Sequence, residues 1–185
     1  TPKGCIKAEV VVVNSFDELD ETKSNVRGKI VLFNVPFTTY GETVQYRYIG
    51  ACSAARYGAA SRAFEYALDY AKNREQFSQP IGKFQAISHK LADMKVMLDV
   101  SRVLVYQFAW QMEGGKASRH DAAILKLYTS EAYKTISDLG LQIYGGYGYC
   151  MEYPMQRFFR DSRLAVIGAG SSEIQRNIIA RSLGL

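Results

Sequence analysis

The sequence predicts a mainly α protein, an antiparallel helical bundle at residues 50–185 preceded by a small α+β segment at residues 1–49. Three observations predict it. From about Gly50 apolar residues recur every three or four positions; glycines and a proline interrupt that rhythm between long segments; and the chain before Gly50 carries short β-branched runs instead.

The elements follow in order. Ala8–Asn14 and Lys29–Phe33 are rich in valine and isoleucine and bounded by polar residues or glycine, as strands are. Between them Ser15 stands as an N-cap with Glu18 at the capping-box position, so a short helix is expected over Phe16–Ser24. Gly28 returns the chain to a strand, and the residues from Asn34 to Gly41 read as loop. Tyr57, Ala60, Phe64, Ala67, Leu68 and Ala71 then form one apolar stripe of a helix ending at Asn73. Gln79–Gly82 breaks it. A second helix is expected from Lys83 to about Glu113, with Leu91, Met94, Leu98, Val105 and Phe108 on its core face, stopped by Gly114 and Gly115. A third runs from Asp121 to about Tyr144 with Ile124, Leu127, Tyr128, Ala132, Ile136 and Leu139 inward. Glu152–Asp161 reads as a basic segment whose Arg157, Arg160, Asp161 and Arg163 are expected to form ion pairs. A last helix begins at Ser171 or Ser172 and ends at Gly184. At 1.5 Å per residue these helices are roughly 20 to 45 Å long, a usual size for an antiparallel bundle.

Composition narrows the function. The chain has 185 residues, 48% of them apolar, enough for a real core. The net charge of +5 comes from lysines and arginines scattered along the helices, which disfavours nucleic acid as a partner. An anionic small molecule is enough to explain a few converging arginines. No apolar run is long enough to cross a bilayer. Cys5, Cys52 and Cys150 are far apart, no CxxC pair exists, and only His89 and His120 could join them, so no metal site is expected.

The stretch from Gln142 through Gly145, Gly146 and Gly148 links the third helix to the basic segment. Glycines let backbone amides approach a ligand without interference from Cβ, and successive N–H groups can cradle a phosphate. A glycine-rich end is also an ordinary helix stop. Both readings stand at this level.

The wider set of motifs is more specific. Tyr70–Phe77 (Tyr-Ala-Lys-Asn-Arg-Glu-Gln-Phe), Pro80–Gln85, Lys90–Met94, the Gln142 corner, Ile167–Arg176 and Ile179–Gly184 occur in the order and spacing of the acyl-CoA dehydrogenases, and residues from about Gly58 to Leu185 resemble their C-terminal helical domain. The resemblance implies FAD as cofactor, an acyl-CoA thioester as substrate, α,β-dehydrogenation as the reaction, and a homo-oligomer, dimer or tetramer, in the cytoplasm or the mitochondrial matrix. It implies that Arg74, Gln76 and Phe77 face the FAD of a neighbouring subunit, with Arg74 on the pyrophosphate. Gln85, Gln142, Gly145 and Gly146 would line the adenosine and pyrophosphate path. Ser171 and Glu173 match positions that touch flavin. The family's proton-abstracting glutamate has no counterpart: its two usual positions fall on Ala169 and, counted back from Gly58, on Tyr48 with Ile49 in place of the following arginine. No catalytic residue is therefore expected in this chain, nor the family's preceding domains.

Residues 1–59 also resemble the protease-associated insert of plasma glutamate carboxypeptidase-type zinc metallopeptidases, through Ser15–Leu19, Gly28–Val31, Thr43–Arg47 and the Gly50-Ala, Ala54-Ala, Gly58-Ala pattern. That resemblance implies a fusion joined at residues 50–59 and brings no peptidase chemistry, because the metal ligands of that family lie in another domain. A non-catalytic scaffold and a protease-associated module remain the alternative functions.

Overall fold

The computed structural model describes residues 10–13, 30–33 and 59–185. The chain divides into two compact units, Thr1–Ile49 and Gly50–Leu185. In the first, β1 (Val10–Val13) and β2 (Ile30–Phe33) pair in parallel, with Val10 opposite Ile30 and Val13 opposite Phe33. Parallel strands cannot be joined by a tight hairpin turn. The helix expected over Phe16–Ser24, the loop after β2, and Tyr48 and Ile49 lie outside the described residues.

The second unit is helical. Its described elements are α1 (Ala59–Asn73), a two-strand hairpin of β3 (Glu75–Gln76) and β4 (Gln79–Pro80), a 3-10 turn (Ile81–Lys83), α2 (Gln85–Glu113), α3 (Arg119–Tyr144), the single turn α4 (Gly146–Tyr149), α5 (Met155–Ile167) and α6 (Ser172–Ser182). The third helix starts earlier than expected, at Arg119, because Ser118 closes its end. The Ser118 hydroxyl accepts from the Asp121 N–H, and the Asp121 carboxylate accepts from the Ser118 N–H. The second starts later, since Ile81–Lys83 forms the tighter turn instead. Gly114 caps α2 and Gly115, at φ +64, turns the chain away.

α3 is the centre of the bundle. It packs against α1, α2, α5 and α6, so it has no single inward face. Ala132 and Ile136 are buried as expected, whereas Ile124, Leu127, Tyr128 and Leu139 are only partly so. Leu125, Lys126, Thr129 and Ser130 are buried in addition. The two hydroxyls tolerate this by donating to their own helix: Thr129 Oγ1 to Leu125 O at 2.7 Å and Ser130 Oγ to Lys126 O at 2.6 Å.

α1 meets the core through small side chains, Ala60, Ala63, Ala67 and Ala71, which let helices approach closely. A Cβ on Gly140 would stand 2.9 Å from Met155 Sδ and 3.8 Å from Ala67 Cβ, so α1, α3 and α5 meet at this glycine. Met94, Ile136, Ile143, Tyr144 and Phe158 complete the core.

The basic segment is itself a helix. α5 starts after Pro154 and buries Met155, Phe158 and Ser162 at helical spacing. It packs along α3 from Gly140, and α6 also lies on α3, with Ser172 on Glu131 and Ser182 Oγ 2.6 Å from His120 Nδ1. The expected ion pairs of Arg157, Arg160, Asp161 and Arg163 are not among the salt bridges of the described residues. Instead Arg160 donates to Gln156 Oε1 at 2.7 Å and Arg157 lies 5.9 Å from the centre of the Phe158 ring.

Candidate functional site

The end of α1 and the end of α3 build one surface together. Tyr70, on the last turn of α1, stacks on Tyr144, the last residue of α3, at 4.1 Å between ring centres and 17° between planes. Tyr153 closes edge-on against Tyr144 at 5.8 Å and lies 5.2 Å from Tyr147. The Tyr144 hydroxyl donates to Tyr66 O at 3.2 Å. Burial, with Asp69 nearby, pushes the Tyr144 phenol up to about 12, so it stays a neutral donor.

Arg74 sits on the rim of this aromatic cluster. Its guanidinium lies 5.4 Å from the centre of the Tyr147 ring, a cation–π distance, and its side chain is exposed. Among the described residues no salt bridge occupies Arg74. Its backbone is fixed at both ends: Arg74 N–H donates to Tyr70 O at 2.8 Å, and Arg74 O accepts from Ile81 N–H at 2.8 Å.

The glycine corner lies beside it. Gly145 takes φ +60 and ends α3, and its N–H donates to Leu141 O and Gln142 O. Gly145 and Gly146 are exposed, and a Cβ on either would meet nothing within 4 Å, so open space faces them. Gly148 differs. It is buried, and a Cβ there would fall 2.7 Å from Leu141 O.

The hairpin carries Gln76 and Phe77. Phe77 and Ser78 both have positive φ, 53° and 64°, as a two-residue hairpin turn demands. Neither is glycine or asparagine, so the turn is strained. Phe77 is 88% exposed and meets Phe84 edge-on at 6.0 Å. Gln76 donates to Glu75 O, and Gln85 is exposed at the first position of α2, next to Phe84.

The structure thus gathers Arg74, Gln76, Phe77 and Gln85 near one end of the bundle, and Arg74 touches the corner that holds Gln142, Gly145 and Gly146. Ser171 and Glu173 are elsewhere. Ser172 is tied to Glu131, and the stretch of α3 from Glu131 to Gln142 separates that turn from the corner by about 16 Å. Ser171 caps α6 without a side-chain bond to its backbone; its hydroxyl instead holds the exposed Glu173 carboxyl below the usual carboxylate range. Ala169 lies in the loop just before, exposed, at φ +54.

Sequence reasoning missed the tyrosine floor and the anchors Glu131 and Gln175. The alternation of tyrosine and glycine from Tyr144 to Tyr149 signals the floor, since glycines leave the rings room to converge. No local pattern signals Glu131, which is a helix-surface carboxylate until α6 is placed on it.

Residues 50–184 match the family described as acyl-CoA dehydrogenase, C-terminal domain. A 3-(aryl)acrylate reductase of Clostridium sporogenes is 37% identical over 180 residues, 97% of this chain and 46% of that protein. The butyryl-CoA dehydrogenase structure from Megasphaera elsdenii superposes with a TM-score of 0.73 at 39% identity, over 78% of this chain and 37% of that one. PigA, solved with FAD and proline, superposes with a TM-score of 0.74 at 31% identity, over 78% of this chain and 38% of that one. The chain spans less than half the length of each of these relatives. The reductase alignment includes most of residues 1–49, and the fusion with a protease-associated insert has no support in these comparisons.

Proposed function

The chain belongs to the acyl-CoA dehydrogenase family by its C-terminal domain, and on that footing we propose that residues 50–185 form the FAD-binding helical domain of a flavoprotein acting on acyl-CoA thioesters. The observation that carries the reading is the exposed Arg74 guanidinium, held over Tyr147 beside Gly145 and Gly146, where open space faces the position a Cβ would take. A guanidinium offers several donors to phosphate oxygens, and glycines without a Cβ let a phosphate come close to the backbone at the same place. The Arg74 donors and the open glycine surface fit a pyrophosphate. Bound FAD would supply hydride acceptance; the residues named here bind and orient it.

The separation of the Ser171 turn from the Arg74 end is consistent with a site shared between protomers. In this reading Arg74, Gln76 and Phe77 reach the cofactor of a neighbouring copy, Gln85, Gln142, Gly145 and Gly146 line its adenosine and pyrophosphate path, and Ser171 and Glu173 contact the flavin. A dimer or tetramer is therefore part of the proposal, and the strained, exposed Phe77 at the hairpin tip is suited to cross between copies. The chain itself holds no proton-abstracting glutamate in this reading, because Ala169, Tyr48 and Ile49 occupy the family positions.

Titration of the chain with FAD, followed by quenching of flavin fluorescence, tests the reading. Arg74→Ala is expected to weaken binding by about tenfold or more, since a hydrogen bond to a charged group contributes about 1.5–3 kcal/mol, and Arg74→Lys to restore only part of it. A wild-type chain indifferent to FAD would overturn the proposal. For the missing base, Tyr48→Glu with Ile49→Arg should raise dye reduction by acyl-CoA above that of the unmodified chain; turnover by the unmodified chain would refute that assignment.

A further inference from the structure

The turn between α5 and α6 is built tightly from within. Gly168 closes α5 by donating to Leu164 O at 2.7 Å, and the chain then reverses through Ala169 at φ +54 and Gly170 at φ +86 before Ser171 caps α6. An alanine resists the left-handed region, because its Cβ crowds the backbone there. Something must hold it. Gln175, only 3% exposed, lies under the turn, and its Nε2 donates to Gly170 O at 3.1 Å and approaches Ala169 O at 3.4 Å. A Cβ on Gly170 would stand 2.6 Å from that same nitrogen, so the carboxamide and the glycine are fitted to each other.

The first turn of α6 is pinned as well. Ser172 Oγ donates to Glu131 Oε1 at 2.7 Å, and Arg176 Nη2 lies 3.7 Å from the same oxygen. Ser171 is half-buried and Glu173 stands in solvent. The turn is therefore fixed on its inner side and open on its outer side, the arrangement that orients a ligand contact before the ligand arrives.

We propose that Gln175 is a positioning residue: its buried carboxamide, fitted against Gly170, holds Gly168–Ser171 in the left-handed turn that presents Ser171 to the cofactor. The proposal rests on the FAD reading for what the turn contacts, and on the structure alone for what holds the turn.

Two variants and two measurements test it. Gln175→Leu keeps the bulk and removes the donor; Gln175→Glu keeps the shape and donates only when protonated. Hydrogen exchange of the amides of residues 168–172, measured without FAD, reads the turn; FAD affinity at pH 5 and pH 8 reads its contact. Gln175→Leu should speed exchange in those residues while leaving the middle of α3 unchanged, and weaken FAD about tenfold or more. Gln175→Glu should show both effects at pH 8 and lose them, relative to wild type, at pH 5, because a buried carboxyl takes up its proton early as pH falls. Burial of an ionised carboxylate would by itself give that pH dependence, so the decision rests on Gln175→Leu. Wild-type exchange rates in Gln175→Leu would overturn the proposal. So would faster exchange with unchanged FAD affinity. If the wild-type chain does not bind FAD, the cofactor reading fails and the claim that the turn presents Ser171 to it falls too, while the exchange arm still decides whether Gln175 holds the turn. Should Gln175→Leu not fold, Gln175→Met, unbranched, of similar length and without a donor, is read by the same two measurements and gives the same decision.

Discussion

Single residues in this chain act through what surrounds them more than through their type. Tyr133 and Tyr144 show it. Burial pushes both phenols up to about 12, with Asp161 adding to the effect on Tyr133 and Asp69 on Tyr144. The folded state thus favours their neutral forms. That contribution is complete below pH 10, the unfolded value, and is lost as pH rises from there through about 12. Spectrophotometric titration should accordingly find tyrosines that ionise late, together with alkaline unfolding, and Tyr133→Phe with Tyr144→Phe should remove the late phase. Gly148 is the matching steric case. Its absent Cβ would meet Leu141 O, which cannot swing aside as a side chain can. Gly148→Ala is expected to destabilise by about 1–3 kcal/mol and to shift Tyr147 from beneath Arg74; a melting temperature equal to wild type would contradict this. Gly145 and Gly146, read from sequence alongside Gly148 as one motif, face open space instead. The motif was legible, but the division between packing glycine and open glycines was not, because only the path of the chain decides which side a Cβ would occupy.

At the scale of the element, helix ends were legible where chemistry is local and illegible where packing sets them. Gly114 and Gly115 stop α2 as their type requires. The capping box at Ser118 uses aspartate at the third position, and it moves the start of α3 to Arg119. Ser118→Ala should cost about 1 kcal/mol in denaturant unfolding at neutral pH. Hydrogen bonds from the Ser118 hydroxyl and N–H hold Asp121 below the usual carboxylate range. Its contribution is present above that range and disappears as pH falls through the lowered value, so the gap between wild type and Ser118→Ala should narrow in strong acid, leaving the share carried by the Asp121 N–H on the Ser118 hydroxyl. A gap that does not narrow would show that the Asp121 carboxylate has no share in it. α5 was hidden for another reason. Arginines at 157, 160 and 163 stand among its inward residues, and one of those is Ser162, so the apolar stripe is interrupted. The helix forms because Met155 and Phe158 fill the space beside Gly140, a contact no window of sequence contains.

For the whole molecule, the bundle between residues 50 and 185 carries a core of its own, drawn from α1, α2, α3 and α5. Removal of residues 1–49 should leave helical circular dichroism and a cooperative melt; a fragment that fails to fold would show that the first unit is needed to complete that core. Met155→Ala, at the junction of α1, α3 and α5, should cost about 2–5 kcal/mol. Light scattering should give a mass of two or four chains for the wild type if the cofactor site is shared between copies. The sequence alone determined the helical class, the long helices and their glycine stops, and the family motifs, because these depend on periodicity and backbone chemistry within a few residues. Tertiary structure decided which faces of α3 are buried, that the basic segment is a helix, and that Arg74 joins the glycine corner while the Ser171 turn lies on the middle of α3. Those outcomes depend on how segments distant in sequence fill one another's space, and periodicity within a segment holds no information about its neighbours.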